Sequence, residues 1–196
     1  MHTYRYVILG GGMVAGYAAK ELVEQGLKPG ELCIVSAEAA LPYERPPLSK
    51  DFLAGKAQPD EILINDESFY NQHGIQLRLS TPIAAVDFAD KHLRMEANEV
   101  IRYEKLLIAT GARVRTLEVP GANLKGVLYL RSLDDSQRIR QQAEQARRAV
   151  IIGGGYIGLE VSAVLAQRGL ATTVVLSGET LLPRLFTPPM SDFFQR

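Results

Sequence analysis

The stretch Val7-Ile-Leu-Gly-Gly-Gly12 returns, almost letter for letter, as Val150-Ile-Ile-Gly-Gly-Gly155. Each copy is an apolar run that ends in three glycines. Helical spacing of small and apolar residues follows: Val14, Ala15, Ala18, Ala19, Leu22 and Val23 after the first turn, and Tyr156 to Arg168 after the second. Gly26 suits the end of the first helix and Gly169 the end of the second, at one common offset (153 − 10 = 143; 169 − 26 = 143). Apolar strands then come in Glu31 to Ser36 and in Thr172 to Leu176. Two strand–turn–helix–strand openings predict two βαβ units, and with them two nucleotide sites.

The glycines carry the chemistry. A pyrophosphate binds where helix N-terminal N–H groups point at it and no Cβ blocks the approach. The first turn offers Gly10, Gly12 and Ala15 in the pattern G-x-G-x-x-A, and the second offers Gly153, Gly155 and Gly158 as the full G-x-G-x-x-G. An acidic residue after the second strand of each unit should accept hydrogen bonds from the adenosine ribose. Glu38 follows Gly10 by 28 residues, delayed by the inserted Lys28-Pro-Gly30, and Glu179 follows Gly153 by 26. For Glu179, a plain surface carboxylate in a turn remains an equal reading.

Between the repeats, Leu41 to Lys50 reads as a proline-rich loop and Asp66 to His73 as a short helix closed by Gly74. Residues 75–80, 83–88 and 92–95 are expected to form an antiparallel meander. Lys105 to Ala109 reads as a buried strand, residues 112–125 as loop, and Leu133 to Ala146 as a polar helix. The expected fold class is α/β with two Rossmann-like dinucleotide-binding domains. The first, residues 1–118, carries the meander; the second, 119–196, is an incomplete nucleotide domain.

Composition excludes several functions. Lys+Arg and Asp+Glu both number 22, so a nucleic-acid footprint or a polybasic membrane patch is not expected. Cys33 is the one cysteine, so no internal disulfide or dithiol can form, and a reducing cytoplasm suits the chain. Arg5 and the apolar run from Val7 to Ala19 mimic a secretory signal, but glycines 10–12 interrupt its helix. No apolar run approaches bilayer length. No metal site is expected.

At Pro42-Tyr-Glu-Arg-Pro-Pro-Leu-Ser-Lys50 the chain resembles the flavoprotein reductases with two dinucleotide domains, the branch that holds monodehydroascorbate, rubredoxin and ferredoxin reductases and apoptosis-inducing factor. Val7–Ala15, Leu107-Ile-Ala-Thr-Gly111, Arg131-Ser-Leu-Asp-Asp135 and Ile152 to Glu160 agree in order with that family. Pro29-Gly-Glu-Leu32 and Pro183-Arg-Leu-Phe186 are most similar to monodehydroascorbate reductases.

The resemblance implies the cofactors FAD and NAD(P)H. It implies that Gly12, Met13, Val14 and Ala15 hold the FAD pyrophosphate and Glu38 its ribose. Arg45 would contact the phosphate region, Ile83 would offer backbone groups to the adenine, and Thr110, Gly111 and Arg131 would touch the FAD. Gly153, Gly154, Gly155, Tyr156, Ile157, Gly158, Leu159 and Glu160 would bind NAD(P)H, with Glu179 and Arg184 beyond them. Lys50 and Glu160 would form a catalytic ion pair beside the flavin. Counted back from Arg184, the family's acidic position holds Gly178, with Glu179 one place later, which leaves NADH against NADPH open.

The family's disulfide-reducing branch carries a C-x4-C pair where this chain has Glu44-Arg-Pro-Pro-Leu-Ser-Lys50. Electrons would therefore leave the flavin directly, to a small-molecule radical or a small redox protein. A ferredoxin- or rubredoxin-type reductase, an inactive FAD-binding fragment and a non-enzymatic flavin module are the alternatives. The resemblance further implies a truncated second domain, with self-association through unpaired sheet edges.

Overall fold

The computed structural model describes residues 2–96, 99–182 and 185–195. It divides into two compact units, Met1–Glu44 with Asp60–Arg113, and Arg45–Pro59 with Val114–Arg196. By packing, Arg45–Pro59 belongs to the second unit, an excursion that chain order does not reveal.

The first unit is built on one sheet. Its strands are β1 (His2–Leu9), β2 (Leu32–Val35), β3 (Gln76–Arg78), β4 (Ile83–Asp87), β5 (His92–Met95) and β6 (Val100–Ile108), in the spatial order β3-β2-β1-β6-β5-β4. Helix α1 (Met13–Glu24) joins β1 to β2, which run parallel with Val7 opposite Cys33 and Leu9 opposite Val35. Alternation along β1 assigns its two faces. Val7 packs with Cys33, Val35, Leu93, Met95, Ile101 and Tyr103. Ile8 packs on the other side with Ala15 and Ala19 of α1, Leu32, Ile34, Tyr70 and Ile75. Each such fully buried aliphatic side chain contributes about 1.5–3 kcal/mol.

Two expectations need correction. The segment 75–80 is not part of the meander: β3 pairs parallel with β2, Cys33 opposite Gln76. It follows a helix of its own (Glu67–Gln72), which supplies the crossover that parallel pairing requires. The meander is β4-β5-β6. The second correction concerns Lys105 to Ala109, which is not a separate buried strand. It is the end of the long β6, antiparallel to β5 at Ile101 and parallel to β1 along most of its length. Leu107 and Ile108 are 40% and 53% exposed. Neighbouring strand residues point to opposite faces, so at this end of β6 each face is only partly covered, Leu106 and Ala109 still packing on the two cores.

In the second unit, the proline-rich loop is more ordered than expected. Pro46–Ser49 forms a 3-10 turn, with prolines at its first positions where their fixed φ fits, and it leads directly into a short helix, Asp51–Ala54. The helix Leu133–Gln145 starts on a capping box made by Ser132 and Asp135. The repeated βαβ opening is the strand Arg148–Ile152, the helix Tyr156–Gln167 and the strand Ala171–Val175, the two strands parallel with Ile152 opposite Val175. These elements share a core of Leu53, Ala143, Val161, Val164, Leu165 and Leu170. A further helix, Pro188–Gln195, was not anticipated; its two leading prolines mask the helical pattern while fitting a helix start.

Candidate functional site: two glycine turns and an ion pair

The two turns have the same local build. Gly10 N–H donates to the Val35 carbonyl at 2.8 Å, and Gly153 N–H donates to the Val175 carbonyl at 2.8 Å. The middle glycine of each turn lies under the first residue past the paired strand. A Cβ on Gly11 would come 2.3 Å from Ser36 Oγ, and one on Gly154 would come 2.2 Å from Leu176 Cδ2. At Gly11 the clash extends to Ser36 Cβ, so packing demands glycine there, whereas at Gly154 the obstacles are the ends of leucine side chains, which can turn aside.

The third glycines are different. Gly12 and Gly155 are the N-caps of their helices, with no side-chain cap and no acidic residue in either first turn. Two other helices of the chain do carry side-chain caps: Asp66 Oδ1 accepts from Phe69 N–H at 2.8 Å, and Ser132 caps its helix through Asp135. The first N–H groups of a helix have no internal partner and carry its positive dipole end. A Cβ on Gly155 would meet no atom within 4 Å. Two uncapped helix starts, the second with open space before it, fit the phosphates of a dinucleotide.

Around the first turn, the structure assembles most of the residues named from sequence. Tyr43 donates its hydroxyl to Glu38 Oε2 at 2.6 Å, and Glu38 N–H donates to Ser36 Oγ at 3.1 Å. Tyr43 is fully buried, and its hydroxyl orients the carboxylate. The exit of β2 is tied to the segment before Ile83, because Thr81 N–H donates to the Ser36 carbonyl at 2.7 Å and Ser80 N–H to the Glu38 carbonyl at 3.1 Å. Thr110 and Gly111 follow β6, whose end closes on the turn: a Cβ on Gly10 would lie 2.1 Å from the Ala109 carbonyl oxygen. Met13, Val14 and Ala15 open the helix, Val14 exposed and Ala15 buried. Tyr17 donates to Glu44, a link with no sequence signal. Cys33 is wholly buried, and burial pushes its thiol up to about 12, which leaves it an inert core residue.

The second unit brings together residues far apart in the chain. Lys50 Nζ lies 2.8 Å from Glu160 Oε1. Ser49 Oγ donates to Glu160 Oε2 at 2.5 Å, and sequence inspection missed it. Burial pushes the Glu160 carboxyl up, but the hydrogen bonds from Lys50 and Ser49 and the Lys50 charge outweigh it, so the net shift is downward. Arg45 Nη1 donates to the Arg131 carbonyl at 2.6 Å, joining two more of the named residues. Tyr156 and Ile157 are exposed in the first turn of their helix. Glu179 is exposed, four residues past its strand (179 − 175 = 4), whereas Glu38 is three past its own (38 − 35 = 3). Gly178 therefore occupies the place equivalent to Glu38. Arg184 lies outside the described residues.

Comparison with known proteins decides the family. The family model for pyridine nucleotide-disulphide oxidoreductases matches residues 4–196. The chain belongs to this family. Monodehydroascorbate reductase of Pisum sativum is 42% identical over 100% of this chain, and the match covers 48% of that relative. A ferredoxin reductase from Rhodopseudomonas palustris has a TM-score of 0.87 at 36% identity, covering 97% of this chain and 47% of its own. Putidaredoxin reductase in its covalent complex with putidaredoxin has a TM-score of 0.88 at 32% identity, covering 99% and 46%. The chain spans about half the length of the curated relatives it matches. These matches agree with the α/β fold of Rossmann type. Among the described residues, no helix is long and apolar enough to cross a membrane.

Proposed function

We propose that this protein serves an FAD-dependent NAD(P)H oxidoreductase that passes electrons from nicotinamide through flavin to a one-electron acceptor, as monodehydroascorbate reductase does. The observation that carries this reading is the pair of uncapped helices on matching glycine turns, in a chain that also holds the Lys50–Glu160 ion pair.

In this reading Gly10 and Gly12 to Ala15 receive the FAD pyrophosphate on backbone N–H groups. Glu38, oriented by Tyr43, accepts from the ribose hydroxyls. Ile83 faces the adenine through its backbone, and Thr110, Gly111, Arg45 and Arg131 complete the FAD contacts. Gly153 to Glu160 receive NAD(P)H at the second turn, with Glu179 and Arg184 on its outer side. Bound flavin supplies two-electron acceptance from nicotinamide and one-electron release. Lys50 contributes a fixed positive charge where negative charge arrives, and Glu160 holds that ammonium in place.

The acceptor is a small-molecule radical, since Cys33 is buried and no cysteine stands in Glu44 to Lys50. A small redox protein is the second reading, favoured by the putidaredoxin complex of a similar structure. A cytoplasmic setting suits the single buried thiol. The sheet face with Val150 and Ile152 (66% and 64% exposed) favours self-association of the isolated chain.

The test is reconstitution with FAD, followed by NADH oxidation with ferricyanide, ascorbate radical or glutathione disulfide. Retained flavin, lost on Gly12→Leu, is expected, with turnover on the one-electron acceptors. A chain that never retains flavin would remove the basis for the first site.

A further inference from the structure

The Lys50–Glu160 pair has a third member. Lys50 and Glu160 side chains are 49% and 30% exposed, and a half-exposed ion pair of flexible side chains has little hold on its own geometry. Ser49 is different: it is 5% exposed, and its surroundings pin it from both sides. Pro46 and Pro47 fix the turn before it. The Leu48 carbonyl accepts from the fully buried Ser136 hydroxyl at 2.7 Å. Lys50 N–H donates to the Pro47 carbonyl at 2.9 Å, and the Lys50 carbonyl accepts from Ala54 N–H at 2.8 Å.

A serine hydroxyl has one proton to donate. Two acceptors face it, Glu160 Oε2 at 2.5 Å and the Pro46 carbonyl at 3.4 Å. The nearer acceptor is also the charged one, so the proton goes to Glu160. Each oxygen of the carboxylate then has its own partner, Oε1 with Lys50 and Oε2 with Ser49. Rotation about the last Glu160 torsion would break both contacts at once.

We propose that Ser49 is a positioning residue, whose hydroxyl locks the plane of the Glu160 carboxylate and through it sets where the Lys50 ammonium stands. The proposal rests on the reading of Lys50 and Glu160 as a working pair. Ser49 also keeps Glu160 ionised, because a hydrogen bond to the charged form favours that form.

The first readout needs no flavin: a carboxyl-carbon NMR titration of Glu160 in the whole chain labelled at glutamate. Ser49→Ala should move the Glu160 midpoint upward, Ser49→Cys part-way, and Ser49→Thr should restore it. The second readout is flavin reduction by NADH in the reconstituted protein. Ser49→Ala should slow it about three- to tenfold, the loss of about one net hydrogen bond, with KM unchanged and Ser49→Thr restoring the rate. On a Glu160→Ala background the Ser49 change should have no further effect. If Ser49→Ala fails to fold, Ser49→Cys and Ser49→Thr decide through the same titration. An unmoved Glu160 midpoint, or an equal slowing on the Glu160→Ala background, would overturn the role of Ser49. If Lys50→Ala and Glu160→Ala themselves leave flavin reduction unchanged, the working-pair reading falls, and the titration still separates that failure from a failure of Ser49.

Discussion

Gly155 and Gly158 stand three residues apart in one turn, and the structure gives them opposite reasons to be glycine. A Cβ on Gly158 would lie 2.1 Å from the Gly153 carbonyl oxygen and 3.2 Å from its carbon. Both partners are backbone, so the helix and the turn must part by about 1 Å, an overpacking that costs about 1–3 kcal/mol. For a chain of this size that lowers Tm by roughly 2–12 °C. Gly155 has φ −84° and ψ 179°, which alanine adopts freely, and its Cβ would meet nothing within 4 Å. Loss of a favourable N-cap costs about 0.5–1 kcal/mol, and the stiffer unfolded chain returns about as much. Gly155→Ala should therefore leave Tm within about 2 °C. In the proposed reading its methyl group would stand where the pyrophosphate approaches. The loss of one charge-assisted hydrogen bond, about 1.5–3 kcal/mol, weakens NADH at least about tenfold. Thermal scans and an NADH fluorescence titration on both variants check this. A Gly155→Ala protein that melts early yet binds NADH normally, or a Gly158→Ala protein as stable as the parent, would refute the division of roles.

Three other outcomes are expected. In the reconstituted protein, Lys50→Ala and Glu160→Ala should each slow flavin reduction, and the double variant should lose less than the sum, as groups that act together do; stopped-flow rates that add strictly would count against the pair. Ferricyanide but not glutathione disulfide should be reduced with NADH, and Cys33→Ser should leave turnover intact while costing about 1–3 kcal/mol for a hydroxyl buried among Val7, Val35 and Leu93; disulfide reduction that survives the substitution would contradict the direct route. Glu160 is held below the usual carboxylate range by Lys50 and Ser49 against its burial, so the folded state binds fewer protons there than the unfolded chain. That stability is present above the unfolded value and is lost as pH falls through the folded one, so acid melting curves should fall less steeply for Glu160→Gln.

The parts of this fold legible in the sequence are those where backbone chemistry dictates residue type. A helix start that must stay bare needs glycine, and the two turns announce themselves for that reason. The strand β6 was only half visible because one strand serves two partners. Its first half alternates as a meander strand, while Leu106-Leu-Ile108 looks like an interior run, although Leu107 and Ile108 are exposed. Apolar composition records what a face can cover, and the exposure of that face depends on elements that local pattern does not report. The excursion of Arg45–Pro59 was hidden for a similar reason, since prolines declare a turn and not the unit on which it packs. Lys50 and Glu160 are 110 positions apart (160 − 50 = 110), and periodicity could not have joined them; the family resemblance did. Ser49 had no such help, because its role depends on a 3-10 turn that points two successive side chains at one carboxylate. The repeat itself makes the same point. Gly10 and Gly153 are equivalent by offset and by hydrogen bond, yet a Cβ on the first would strike Ala109 while one on the second would meet nothing within 4 Å. Both glycines thus answer to a positive φ, 123° and 115°, and Gly10 alone answers to a steric demand as well.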